Sequence, residues 1–179
     1  MSDIKNKKII TEKLEQLINT DTIVELYTND DETTMFAAGF IKGLSEENIL
    51  IYEINQDGEY DGYIVFKLEN IYRISYDTLY TIELYEKIKQ NGVFHKDVEI
   101  ISSNQFVNIV NFSKKENKIM SITLFNSEYD DVIGIMNNMD DYCVEINMID
   151  IKGNKDGQSI VCFKDISRIV CDSEDEQLL

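Results

Sequence analysis

The chain has 179 residues, 43% of them hydrophobic, and carries 34 acidic against 17 basic side chains, a formal net charge of −17. That length can bury a core as one large domain or two smaller ones. The acidity disfavours generic nucleic-acid binding, which draws its affinity from Lys and Arg displacing phosphate counterions. No apolar run approaches the roughly 18 residues of a membrane span, and Met1 to Lys8 leads into an amphipathic pattern instead of a signal-peptide core, so a soluble, cytoplasmic protein is expected.

Ile10, Leu14, Leu17 and Ile18 recur at helical spacing and predict an amphipathic helix from Lys8 to Asn19. Alternation predicts strands over Thr22 to Thr28, Met35 to Lys42, Asn48 to Asn55, Gly62 to Leu68 and Ile71 to Tyr76. Asn29 to Thr34 reads as a polar loop and Gln56-Asp57-Gly58-Glu59 as a hairpin turn, where glycine tolerates positive φ without steric cost. Asp77 is placed to cap a helix from Thr78 to Gln90, stopped by Asn91-Gly92. After a polar segment around His95, Ser102-Ser103-Asn104-Gln105 reads as a helix start ahead of Phe106, Ile109, Val110 and Phe112. Ile122 and Leu124 then align with Val24 and Leu26, which makes the following loop three residues shorter than in the first half. Glu174 to Leu179 is an acidic end expected to fray.

From Gly39 to Asp77 the pattern recurs without a gap from Gly134 to Asp172. Gly39, Ile51, Ile54, Gly58, Asp61, Gly62, Ile71, Arg73, Ile74 and Asp77 reappear as Gly134, Ile146, Ile149, Gly153, Asp156, Gly157, Ile166, Arg168, Ile169 and Asp172. The reading is a tandem duplication. It divides the chain into a first unit (1–77), a connecting helix (78–92) and a second unit (93–179), with turns set by the glycines and core contacts by the isoleucines.

Five short strands after a helix bury their edges best by curling into a small barrel. The stretch Ala38-Gly39-Phe40-Ile41-Lys42-Gly43-Leu44-Ser45-Glu46-Glu47-Asn48-Ile49 resembles the first motif of the Sm-like group of SH3-like barrels: apolar, Gly, any, aliphatic, any, Gly, then an acidic residue and an Asn. The resemblance implies a mainly β, α+β protein of two tandem five-stranded barrels, each preceded by a helix. Ser45 stands where that group has its acidic residue, and Asn48 comes one position early. In the second unit Asn138 and Cys143 replace Gly43 and Asn48, and the group's aliphatic-Arg-Gly motif is missing, since Arg73 and Arg168 precede isoleucines. The RNA-contacting part of the resemblance does not carry over.

Arg73 and Arg168 are the leading polar candidates, because a guanidinium kept at matched strand positions pairs with a fixed carboxylate or grips a ligand. Asp61 and Asp156, with Asp77 and Asp172, are the partners considered for them. Tyr52, Tyr63, Tyr72 and Tyr76 are candidate interface residues, large rigid apolar surfaces with a polar tip; the alternative is that they pack between barrel and helix. Their counterparts are Asn147, Gln158, Ser167 and Cys171, so the two units are expected to present different surfaces. His95 stands alone, which leaves no triad and no paired-histidine metal site. Glu46-Glu47, Asp130-Asp131 and Asp140-Asp141 lack calcium-loop spacing. Cys143, Cys162 and Cys171 are odd in number, lack metal-ligand spacing and read as buried or half-buried reduced thiols. No catalytic group, metal or cofactor site is expected. The functional expectation is a non-enzymatic interaction or regulatory module that binds a protein or itself. The alternatives are an Sm-like RNA binder and an acidic nucleic-acid mimic.

Overall fold

A computed structural model describes residues 7–28, 36–92, 97–125, 127 and 129–179. His95 and the loop from Asn29 to Thr34 lie outside the described residues. The elements run α1 (Lys8–Leu17), β1 (Val24–Thr28), β2 (Ala37–Leu44), β3 (Asn48–Ile54), β4 (Tyr60–Lys67), β5 (Ile71–Tyr76), α2 (Leu79–Asn91), α3 (Gln105–Glu116), β6 (Met120–Leu124), β7 (Val132–Met139), β8 (Cys143–Ile149), β9 (Lys155–Cys162), β10 (Ile166–Cys171) and α4 (Glu174–Gln177). The class is mainly β with a few helices, as expected. No helix among the described residues is long and apolar enough to cross a membrane.

The two closed barrels are not what forms. All ten strands join one antiparallel sheet in the order β5-β1-β2-β3-β4-β10-β6-β7-β8-β9. The reason lies in β4: its outer row of N–H and C=O groups needs partners, and β10, from the other half of the chain, supplies them. Each half keeps the same internal strand order, and the halves meet head to tail. Irregularities fall at corresponding places, between Ile41 and Gly43 on β2 and between Met136 and Asn138 on β7, bending both halves of the sheet alike.

Gly39 pairs with Val24, and Gly134 with Met120. Met120 and Ile122 are therefore the counterparts of Val24 and Leu26, which corrects the alignment on Ile122 and Leu124 by two residues. Side chains alternate with period two along a strand, so a slip of two leaves every residue on its original face and the pattern unchanged. Both glycines are demanded by close approach: a Cβ at Gly39 would overlap the Tyr52 carbonyl oxygen, and one at Gly134 that of Asn147.

The helix after β5 is capped one residue later than expected. Thr78 is its N-cap, its hydroxyl accepting from the Thr81 N–H while Thr81 reaches back to the Thr78 N–H. Asp77 instead takes the left-handed turn before it, φ 55°, as Asp172 does before α4, φ 64°. The acidic end does not fray to nothing: Glu174–Gln177 forms a helical turn closed by a Ser173–Glu176 capping box.

The core has two parts. Leu14 and Leu17 of α1 pack with Leu26, Ile41, Ile51, Phe66 and Ile71. In the larger part, Phe106, Ile109, Val110 and Phe112 of α3 join Leu50, Tyr52, Tyr63 and Val65 of the first half to Ile122, Val144, Ile146 and Ile169 of the second. The helix α3 thus seals the seam between the halves, touching β3 and β4 as well as β7 and β10.

Candidate interaction site

The strongest chemical clustering lies along the seam. Val65 on β4 faces Ile169 on β10, and Tyr63 faces Cys171. Around this ladder, Tyr60 Oη donates to Asp172 Oδ2 at 3.1 Å, Asn70 Nδ2 to Ser167 Oγ at 2.9 Å, and Lys67 Nζ to the Lys164 carbonyl at 2.6 Å. Asp61 Oδ1 accepts the Glu174 N–H at 2.9 Å, at the first residue of α4.

The four charged candidates are not assembled into matched pairs. Arg168 Nη2 meets Asp130 Oδ1 at 3.3 Å and Thr123 Oγ1 at 3.2 Å, neither of them a partner suggested by the repeat. Arg73 stacks its guanidinium 4.2 Å from the centre of the Tyr27 ring on the neighbouring strand. Asp61 is taken by the α4 backbone, Asp172 is bound by Lys118 at 2.9 Å, and Asp156 is exposed on β9. Matched sequence position does not give matched contact here, because the first half borders solvent where the second borders β4.

Of the tyrosines, Tyr52 and Tyr63 do not face outward. They are 1% and 0% exposed and form an aromatic layer with Tyr60, ring centres 5.0 to 5.8 Å apart, closed by Phe112 of α3 at 5.3 Å from Tyr63. Burial drives all three hydroxyl pKa values well above the ordinary tyrosine range. Tyr76 lies beneath Lys13 Nζ, 4.6 Å from the ring centre, and Tyr72 is 39% exposed on β5. The missing tyrosines of the second half follow from position. Asn147 and Gln158, toward the far end of the sheet, are both exposed and bond each other at 3.0 Å.

Asn48 is fully employed in structure. Its Oδ1 accepts the Gln105 N–H at 2.7 Å and the Ser45 hydroxyl at 3.0 Å, and its Nδ2 donates to Asn104 Oδ1 at 3.1 Å, fastening the start of α3. Beside it a cleft of about 630 Å³ opens across the seam, lined by residues that include Lys67, Tyr142 and Lys164. Among the described residues, no group of three or more His, Cys, Asp or Glu converges to hold a metal ion.

Several groups escaped the sequence reading. Glu25, 5% exposed, accepts from Tyr27 Oη and Thr78 Oγ1, both at 2.6 Å. Glu53 sits near Asp61, Arg168 and Glu176; burial first, then the Asp61 charge, pushes its carboxyl up to about 8. Cys143 and Cys162 face each other across β8 and β9 with Sγ atoms 2.9 Å apart. Only Ser173-Glu174-Asp175-Glu176 had a readable signal, the capping-box spacing.

At the ends of the sheet lie β5, paired to β1, and β9, paired to β8; among the described residues no strand pairs with the other side of either. Ile160 on β9 is 71% exposed, whereas its counterpart Val65 on β4 is 0% exposed. Comparisons with protein-family models, with curated proteins and with solved structures find no match.

Proposed function

We propose that the chain is a non-enzymatic interaction module, built by tandem duplication of a helix and five strands, that engages partners by strand addition at β5 and β9. The observation that carries this reading is the seam. There β4 is completed by a strand from elsewhere in the chain, in the mode a partner would use at the two ends. The exposed Ile160 on β9 supplies an apolar anchor beside the open hydrogen-bonding row. The employed side chain of Asn48 and the acidic net charge weigh against a nucleic-acid ligand.

The test is proximity cross-linking in cells with the native chain and with Ile160→Pro and Ile74→Pro, each of which removes one backbone donor from an open edge. Partners lost in either variant support strand addition. Full retention in both overturns it.

A further inference from the structure

The outer strands β9 and β5 are the counterparts of β4 and β10, the two strands already joined at the seam. We infer that the partner at each open edge is a second copy of this chain, β9 of one copy pairing antiparallel with β5 of the next in the register of the seam. This rests on the strand-addition reading and names its partner.

The register follows from the repeat. At the seam Phe66, Val65, Ile64 and Tyr63 face Arg168, Ile169, Val170 and Cys171. The offset that takes Gly39 to Gly134 sets Ile160 opposite Ile74 and Ser159 opposite Ser75. Ile160 then gains the cover that Val65 already has. The phase of the β8–β9 ladder turns its backbone outward, since Phe163 donates its N–H to the Tyr142 carbonyl at 2.9 Å. Antiparallel pairs alternate between bonded and non-bonded, so Ile160 turns its N–H and C=O away from β8, as Val65 turns its own toward β10. On β5, Lys7 Nζ occupies the Glu69 and Ile71 carbonyls, before the stretch in question.

The flanks carry an independent argument. Tyr60, Asp61 and Gly62 grip the turn from Cys171 to Glu174, with Gly62 so close that a Cβ would collide with the Asp172 and Ser173 backbone. Their counterparts Lys155, Asp156 and Gly157 lie exposed on β9, and among the described residues nothing lies within 4 Å of a Cβ built on Gly157. At the other end Asp77 already holds the left-handed turn that Asp172 holds at the seam. Docking brings the Lys155 ammonium to the Asp77 carboxylate, where the seam has Tyr60 and Asp172. It also brings Asp156 to the Leu79 N–H at the start of α2, where the seam has Asp61 and Glu174. The aromatic layer is not repeated, since Asn147 and Gln158 replace Tyr52 and Tyr63, so the contact between copies is weaker than the seam. Repetition of one head-to-tail contact gives a ring where the rotation closes and a filament where it does not.

Sedimentation velocity of the full chain over a concentration series reads the result. Masses at whole-number multiples of the chain are expected, growing as added salt screens the net charge of −17. Lys155→Glu and Asp77→Lys each weaken association at least about tenfold, and the two together restore it. Ile160→Pro abolishes it with an unchanged circular dichroism spectrum. A single-chain mass at every concentration and salt overturns the copy-to-copy contact. If Ile160→Pro and Ile74→Pro still remove cellular cross-links in that case, strand addition stands with another partner. Self-association indifferent to every edge variant overturns both.

Discussion

Glu176 of α4 accepts the hydroxyl proton of Ser121 on β6, Oγ to Oε1 at 2.6 Å, in a site where the carboxylate is 5% exposed. Its other oxygen takes the Ser173 N–H at 2.9 Å and the Ser173 hydroxyl. In the first half the roles are exchanged between strand and helix. Glu25 stands where Ser121 does and takes the hydroxyl of Thr78, while Thr81 stands in the place of Glu176. Each half thus locks its first strand to the helix that follows its last strand with one buried carboxylate, supplied from opposite sides.

Glu176→Ala therefore leaves Ser121 and Ser173 without their acceptor and removes a cap, at an expected cost of about 1 to 3 kcal/mol. Urea denaturation checks it. The double change Ser121→Glu with Glu176→Thr rebuilds the arrangement of the first half and is expected to recover most of that loss. No recovery would show that the two sites are not interchangeable.

How much of this was legible in the sequence depends on whether the signal was local. Strand spans, the α2 stop at Gly92 and the recurring left-handed glycines came from turn chemistry and alternation, which operate within a few residues. The joining of β4 to β10 did not, because an edge carries no mark of which strand will complete it. Whether Tyr52 and Tyr63 form an interface or pack under a helix stayed open for the same reason. A tyrosine on an alternating strand looks alike beneath α3 and in solvent. Arg168 and Asp130 are neighbours only through the β6 and β7 fold-back, and no spacing rule foretells that pair.

Tyr63 touches Tyr52, Tyr60 and Phe112, so Tyr63→Ala opens a cavity between the first half and α3. A loss of about 3 to 5 kcal/mol is expected. Because α3 packs on both halves, thermal unfolding of the native chain should be one transition by near- and far-ultraviolet circular dichroism. Two separated transitions would show that the halves fold independently.

Glu53 gives stability an unusual pH dependence. Its folded-state carboxyl is raised from 4.5 to about 8, so between those values the folded chain holds a proton that the unfolded chain has released. Its contribution is fully present below pH 4.5 and is lost as pH rises toward 8, the reverse of a salt-bridged carboxylate. Glu53→Gln should leave stability unchanged in acid and raise it above neutrality, measured as denaturation midpoints across pH. A variant that tracks the native curve throughout would refute the shift.

Cys143 and Cys162 form a non-hydrogen-bonded cross-strand pair, the type that brings side chains closest, since the adjacent pair is the one bonded through Phe163 and Tyr142. An oxidised low-molecular-weight disulfide is expected to close them. One thiolate attacks it and releases one small thiol, and the second displaces the other, leaving the chain lighter by two hydrogens. The Cys162 hydrogen bond, then burial, pushes Cys143 up to about 11, so closure should accelerate with alkalinity. Cys171, buried with its thiol pKa raised, should stay unmodified. Intact-mass spectrometry decides; a persistent adduct at either cysteine would contradict the geometry.

The central position of β10 sets an order on synthesis. The middle of the sheet cannot close until Ile166 to Cys171 has been made, although β4 is complete at Lys67. At about 5 to 20 residues per second, β4 waits roughly 5 to 20 s on the ribosome with its edge uncovered. During that interval nascent chains on one messenger carry an open β4, and a neighbouring chain's finished β10 or β5 is the strand whose register fits it.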